Sequence, residues 1–254
     1  MLLRATLERV THRIVIRRHL PLPFHAARVY TSSEGGLRYL RPSMGRVDPA
    51  LLRLAAEVIK PGDVVWDIGA NLGLFTFAAA VAAGQGGHVV AVEPDAVLVR
   101  LLRRSAALNC GQAPVDIFPA AVADNLGVGR FNIARRNRST SHLDGFGTRQ
   151  SGGIRATEMV PTVSLDWLAT HFPAPDVVKI DVEEAEVLVL TGSASVLRMR
   201  PIIICEVAGR NAPAVRDLLA GQGYTLYDGE QAADQRISMT TAPPNTLAIN
   251  HSRP

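Results

Sequence analysis

Lys179 and Asp181 are of the types that move a proton, and they sit two residues apart at the end of an apolar run, Val177-Val178-Lys179-Ile180-Asp181-Val182-Glu183. Side chains two apart on a strand point to the same side. A strand-end aspartate can orient or deprotonate an acceptor hydroxyl, and a lysine beside it can keep it ionised or stabilise a developing alkoxide. The same residues could equally form a structural ion pair. The lysine is informative in itself, because only Lys60 and Lys179 among the 27 Lys+Arg residues are lysine. A chain that otherwise uses arginine and keeps lysine here points to a site that needs a compact ammonium. Glu206 closes a further apolar run and either faces the same crevice or serves as a buried capping carboxylate. His142, a lone histidine in a polar stretch, is either a general base or a solvated side chain.

A second set of residues is suited to holding a ligand. The run Val64-Val65-Trp66-Asp67-Ile68 leads into Gly69-Ala70-Asn71-Leu72-Gly73 and then a helical stretch. Glycines at 69 and 73 allow close backbone approach, and the helix beyond offers free N–H groups to a carboxylate. The spacing is not the Gly-x-Gly-x-x-Gly of a dinucleotide site, and the lysine of a phosphate-binding loop is missing. The next run, Val89 to Val92, ends in Glu93-Pro94-Asp95. An acid there, about 20 residues after the glycines, is placed to accept both hydroxyls of an adenosine ribose.

The elements that must position these residues follow from periodicity. Apolar runs at 64–68, 88–92, 115–118, 177–180 and 202–207 alternate with helical stretches at about 72–83, 95–109, 184–198 and 211–221, the pattern of a parallel sheet covered on both faces. Two late strands, 224–227 and 246–250, predict an antiparallel edge. Residues 48–59 predict a helix with Asp48 as N-cap and Pro49 in its first turn. Residues 28–40 predict two short strands around Glu34-Gly35-Gly36. Residues 1–20 have helical apolar spacing among five arginines, the pattern of a basic amphipathic helix that packs on the domain or docks at a membrane surface. Residues 134–155 form a polar, Gly-rich stretch, read as a loop over substrate or as disorder.

Composition narrows the function classes. The 254 residues are 47% hydrophobic and 20% charged, enough for a full core. Residues 1–60 carry eleven basic and four acidic side chains, so the net charge of +4 comes from a basic front on a mildly acidic body. That argues against a nucleic-acid partner and for docking of the front on an anionic surface. Two cysteines, Cys110 and Cys205, make neither a disulfide framework nor a metal spacing, which fits a reducing, cytoplasmic compartment. No run reaches the ~18 apolar residues of a membrane span. Asp181, Glu183, Glu186 and Glu206 supply carboxylates, but no spacing marks a metal site.

In this order the motifs resemble the FkbM family of S-adenosylmethionine-dependent methyltransferases. The pieces are Asp67-Ile68-Gly69-Ala70-Asn71-Leu72-Gly73-Leu74-Phe75-Thr76, Glu93-Pro94-Asp95, Asn109, Ala120-Ala121-Val122, Val163-Ser164-Leu165-Asp166, Val178 to Glu183, Pro201 to Glu206 and Asn245. The resemblance implies an α/β class I methyltransferase fold: a Rossmann-like, seven-stranded, mostly parallel sheet with helices on both faces. Residues 61–254 would form that domain and residues 1–60 a helical and β extension. It also implies S-adenosyl-L-methionine as cofactor. Asp67, Gly69, Ala70, Asn71 and Gly73 would lie around its methionine part, Glu93 and Pro94 at the ribose, and Asp95 and Ala121 near the adenine. Lys179, Asp181 and Glu206 would be catalytic. The acceptor would be a hydroxyl of a sugar, a glycan or a polyketide-like small molecule. One position departs from the family pattern: Glu184 stands where Asp-Val-Glu-Gly-Ala-Glu has glycine. Glu is favourable if position 184 is in the first turn of a helix, the preferred expectation. It is strained if the turn needs positive φ, and the chain would then be a catalytically impaired cofactor-binding or interaction domain.

Overall fold

The computed structural model describes residues 14–41, 43–147 and 152–252. The chain opens with β1 (Val15–His19) and β2 (Arg28–Ser32), an antiparallel pair. This corrects the part of the helix expected over residues 1–20 that falls on residues 14–20. The β-branched Val15 and Ile16 sit in an extended run that gains a full ladder with β2, which outweighs the helical apolar spacing. Residues 1–13 lie outside the described residues. The second strand expected in 28–40 is also absent: Ser33–Gly35 and Leu37–Leu40 are tight 3₁₀ turns, separated by Gly36 at φ 117°. Next comes α1 (Pro49–Val58), where Asp48 accepts from the Leu51 N–H and Pro49 occupies the first turn, as the sequence predicts.

The alternating part begins with β3 (Val64–Ile68), α2 (Leu74–Ala83), β4 (His88–Val92), α3 (Ala96–Ala106) and β5 (Val115–Phe118). A second sheet follows, made of β6 (Ala121–Val122), β7 (Gly127–Ala134), β8 (His142–Leu143) and β9 (Ile154–Val163) in the order β6-β9-β7-β8. The chain returns through α4 (Leu165–Leu168), β10 (Val177–Ile180), α5 (Glu186–Thr191), α6 (Ala194–Arg198), β11 (Ile202–Glu206), α7 (Ala212–Ala220), β12 (Thr225–Asp228) and β13 (Asn245–Ile249).

The main sheet has the order β12-β13-β11-β10-β3-β4-β5, parallel from β11 to β5, with β13 antiparallel between β11 and β12. It is the seven-stranded, mostly parallel α/β sheet that the motifs imply. The chain winds outward from β3 through β4 to β5, then crosses to β10 and β11. The strand order therefore reverses between β3 and β10, and ligands bind beyond the carboxyl ends of strands at such a point.

Both faces are covered, which explains why the strands read as continuous apolar runs. Val65, Ala91 and Val177 pack with α1, α2 and α3 and also with Leu20, Phe24, Val29 and Tyr39 of the N-terminal segment. Trp66, Val90 and Val178 pack against Leu190, Val196 and Leu219. The described part of the extension thus shares one core with the sheet. Within the described part of 134–155, β7 runs to Ala134, a 3₁₀ turn spans Arg138–Thr140, β8 holds His142–Leu143 and β9 begins at Ile154. Phe131, Ile133 and Val160, with Ala121, give the second sheet its own small core.

Candidate active site

The register of the central strands sets the charged centre. β3 and β10 are parallel with Asp67 opposite Lys179, so the two side chains project from the same face of neighbouring strands. The Lys179 ammonium lies 3.2 Å from Asp67 Oδ1 and 3.3 Å from Asp181 Oδ2, and donates to the Gly69 carbonyl at 2.9 Å. Thr76 Oγ1 donates to Asp67 Oδ2 at 2.6 Å, tying the start of α2 to the strand end. Burial alone would lower the Lys179 pKa. The carboxylates of Asp181 and Asp67 outweigh that and hold the ammonium above its usual range. The expected Lys179–Asp181 pair is present, and it extends to a third member, Asp67, which is fully buried.

Beyond these strand ends is a concave cavity. Gly69, Asn71, Glu93, Pro94, Ala121 and Asp181, each expected from the sequence, line it. Asp67, Ala70, Gly73 and Asp95 stand behind its wall. Asp67 is held by Lys179 and Thr76, Gly73 opens α2 in a left-handed conformation, and Asp95 caps α3 through the Val97 and Leu98 N–H groups. Gly69 is irreplaceable on geometry, because at φ 78° an added Cβ would fall 1.8 Å from the Asp181 carbonyl oxygen. Glu93 accepts from the Asn71 N–H at 2.8 Å and the Asp95 N–H at 2.9 Å. Burial pushes its carboxyl up to about 7.

The cavity also has walls that sequence reasoning missed. Phe131, Leu143 and Val122 from the second sheet form an apolar side. Arg138, Ser139 and Ser141 of the polar stretch also line this cavity. Glu183 lines the cavity as well, and burial followed by the charge of Asp181 pushes its carboxyl up to about 8.

A family model for the methyltransferase FkbM domain matches residues 67–226. The chain belongs to the FkbM methyltransferase family. Among curated proteins it is 28% identical over 199 residues to the hexuronic acid methyltransferase AglP of Haloferax volcanii, covering 77% of each chain. It is 30% identical over 209 residues to the 31-O-demethyl-FK506 methyltransferase FkbM of Streptomyces tacrolimicus, covering 70% of this chain and 78% of that one. Among solved structures, M. jannaschii TYW2 in complex with AdoMet aligns at a TM-score of 0.45 and 13% identity, covering 88% of this chain and 79% of that one.

The FkbM domain's cavity suits S-adenosylmethionine on its own chemistry. Glu93 retains lone pairs after its two backbone contacts, enough to accept a ribose diol. Asn71 lines the same cavity, and its N–H is already fixed by Glu93. The apolar side suits an adenine ring. Asp181 also lines a second, smaller cavity together with Lys179, Glu206, Asp48 and Asn245. Glu206 is exposed at its rim, and the charge of Asp181, then burial, pushes its carboxyl up to about 7. Tyr39, from the extension, is buried, and burial raises its phenol pKa.

Two expectations need correction. Position 184 is not in the first turn of a helix: α5 starts at Glu186, and Glu183 and Glu184 have φ of 49° and 76°. The strained alternative is the one observed. Glu184 does not intrude on the pocket, however. Its carboxylate pairs with Arg210, its N–H donates to Glu186 Oε1 at 2.8 Å, and it lines neither cavity. His142 is buried rather than solvated. Its Nδ1 lies 3.1 Å from the Thr140 carbonyl, and it is not on the cavity wall although Ser141 and Leu143 are. Among the described residues no group of three or more His, Cys, Asp or Glu is placed to hold a metal ion, and no helix is long and apolar enough to cross a membrane.

Proposed function

We propose that the chain is an S-adenosylmethionine-dependent O-methyltransferase that acts on a hydroxyl of a sugar, a glycan or a polyketide-like small molecule. The observation that carries this is the position of Asp181, which lines both the cavity beyond β3 and β4 and the smaller one. A carboxylate at that junction can accept the proton of a hydroxyl presented from the second cavity. The names of the two curated relatives, one acting on a hexuronic acid and one on a demethylated FK506, support acceptors of these two classes.

When bound, the cofactor supplies an electrophilic sulfonium methyl group. In that chemistry Asp181 would accept the proton that the acceptor hydroxyl gives up. Lys179, 3.3 Å from Asp181, pairs with the aspartate and orients it. Glu206 and Asp48 offer acceptor oxygens at the second cavity to further hydroxyls of a polyol. Glu93 and Asn71 fix the cofactor, and the walls from the second sheet exclude water. Alignment of the two reactants can contribute about 7–11 kcal/mol of barrier lowering. The alternative, a domain that binds cofactor without turnover because of Glu184, is disfavoured by the Arg210 pair that draws that side chain away from both cavities.

Asp181→Asn tests the reading. Turnover is expected to fall by about 10²–10⁴-fold, the contribution of a positioned general base. Unchanged turnover would remove Asp181 from the chemistry.

A further inference from the structure

We propose that Arg138 is a cofactor-positioning residue, joined to Glu34 and Asp95 so that the N-terminal extension and the second sheet together fix the ribose-binding carboxylate Glu93. Three chain segments meet at its guanidinium. Nε donates to Glu34 Oε2 at 2.8 Å and one Nη donates to Asp95 Oδ2 at 2.6 Å. The Arg138 side chain is only 9% exposed, Glu34 10% and Asp95 1%, so the bonds are made out of water, where charge-assisted contacts are strong and directional.

The connection continues inward. Asp95 spends its other oxygen on the Val97 and Leu98 N–H groups, and its own N–H donates to Glu93 Oε1 at 2.9 Å. Glu93 Oε2 takes the Asn71 N–H at 2.8 Å. The order Glu34, Arg138, Asp95, Glu93, Asn71 therefore runs from the extension to the two residues best suited to hold the cofactor. The extension is seated on the same loop from above: a Cβ on Gly35 would lie 2.3 Å from Leu72 and 2.8 Å from Asn71 Oδ1. Arg155 reaches Glu34 Oε2 at 3.6 Å but is 44% exposed, so it is the weaker support. Arginine suits the position because its planar fork aims Nε at one carboxylate and Nη at the other in fixed geometry.

The inference rests on the cofactor assignment and not on the acceptor. The test is calorimetric titration of the full chain with S-adenosylhomocysteine, together with KM for the cofactor. Arg138→Met should weaken binding by roughly tenfold or more, with kcat at saturating cofactor much less affected, and Arg138→Lys should recover part of the loss. Glu34→Gln should weaken binding several-fold and add little when combined with Arg138→Met. Should Arg138→Met fail to fold, Glu34→Gln and Arg138→Lys decide. Binding within about twofold of wild type in the folded variants, even with a lower melting temperature, would make the cluster structural and overturn the proposal. A wild-type chain that binds no S-adenosylhomocysteine would instead overturn the cofactor assignment.

Discussion

Lys179→Met should destabilise the protein more than it reports on catalysis. Asp67 is fully buried, and Lys179 is its ion-pair partner at 3.2 Å, with a side chain only 7% exposed. Removing the ammonium leaves an uncompensated charge inside the sheet and takes a donor from the Gly69 carbonyl. Breaking a buried pair by deleting one member costs about 3–5 kcal/mol. For a chain of this size each kcal/mol moves the melting temperature by about 2–4 °C, so a fall of roughly 6–20 °C is expected. Urea denaturation of wild type, Lys179→Met, Asp67→Asn and the double variant measures the coupling directly. The double variant should regain much of the loss, because an amide in place of Asp67 carries no charge to strand, although Asp181 still loses its partner. Lys179→Met within about 1 kcal/mol of wild type, or a double variant no more stable than Lys179→Met, would refute the reasoning. Lost activity in Lys179→Met alone therefore says nothing about chemistry unless it is measured well below the lowered midpoint.

Glu184→Gly relieves a left-handed residue that costs roughly 1–2 kcal/mol but removes the Arg210 pair, so its methyl-transfer rate should stay within about twofold of wild type. A large gain in rate would show that Glu184 impairs the site. Glu93, with its carboxyl raised to about 7, should bind a ribose diol best when ionised, so cofactor affinity should rise from pH 6 to pH 8; a flat profile in calorimetry would contradict this role. Glu183 has its carboxyl raised from 4.5 to about 8, so the folded state binds more protons than the unfolded state in that window. Its contribution to stability is intact below the unfolded value and is lost as pH rises toward 8. Glu183→Gln should therefore stabilise the protein more at pH 8 than at pH 5 in denaturant titrations, and equal effects at both pH values would count against it.

The sheet is legible in the sequence because both of its faces are buried. Val64–Ile68, His88–Val92 and Val177–Ile180 then read as unbroken apolar runs, and the acid or glycine after each marks its carboxyl end. The Lys179–Asp181 pair follows from strand periodicity alone, but its extension to Asp67 needs the β3–β10 register, which no single run carries. The second sheet is harder to see, because β7 and β9 are exposed over much of their length and mix Gly and Arg with Phe131, Ile133 and Val160. Arg138 gives no local signal, since its partners Asp95 and Glu34 lie 43 and 104 residues away. Glu184 misleads because Glu-Glu-Ala-Glu has the composition of a helix start, whereas Glu183 and Glu184 are left-handed and α5 starts only at Glu186. The basic charge of residues 1–60 suggests docking away from the chemistry, yet Glu34 and Tyr39 of that segment are buried beside the site.

The most direct test of methyl transfer to oxygen is mass spectrometry of host small-molecule and glycan extracts incubated with the purified chain and methyl-labelled S-adenosylmethionine. The expected label appears as a methoxy group on a hydroxyl-bearing acceptor and is lost with Asp181→Asn. Label on nitrogen or carbon, or a labelled product that persists undiminished in Asp181→Asn, would contradict it.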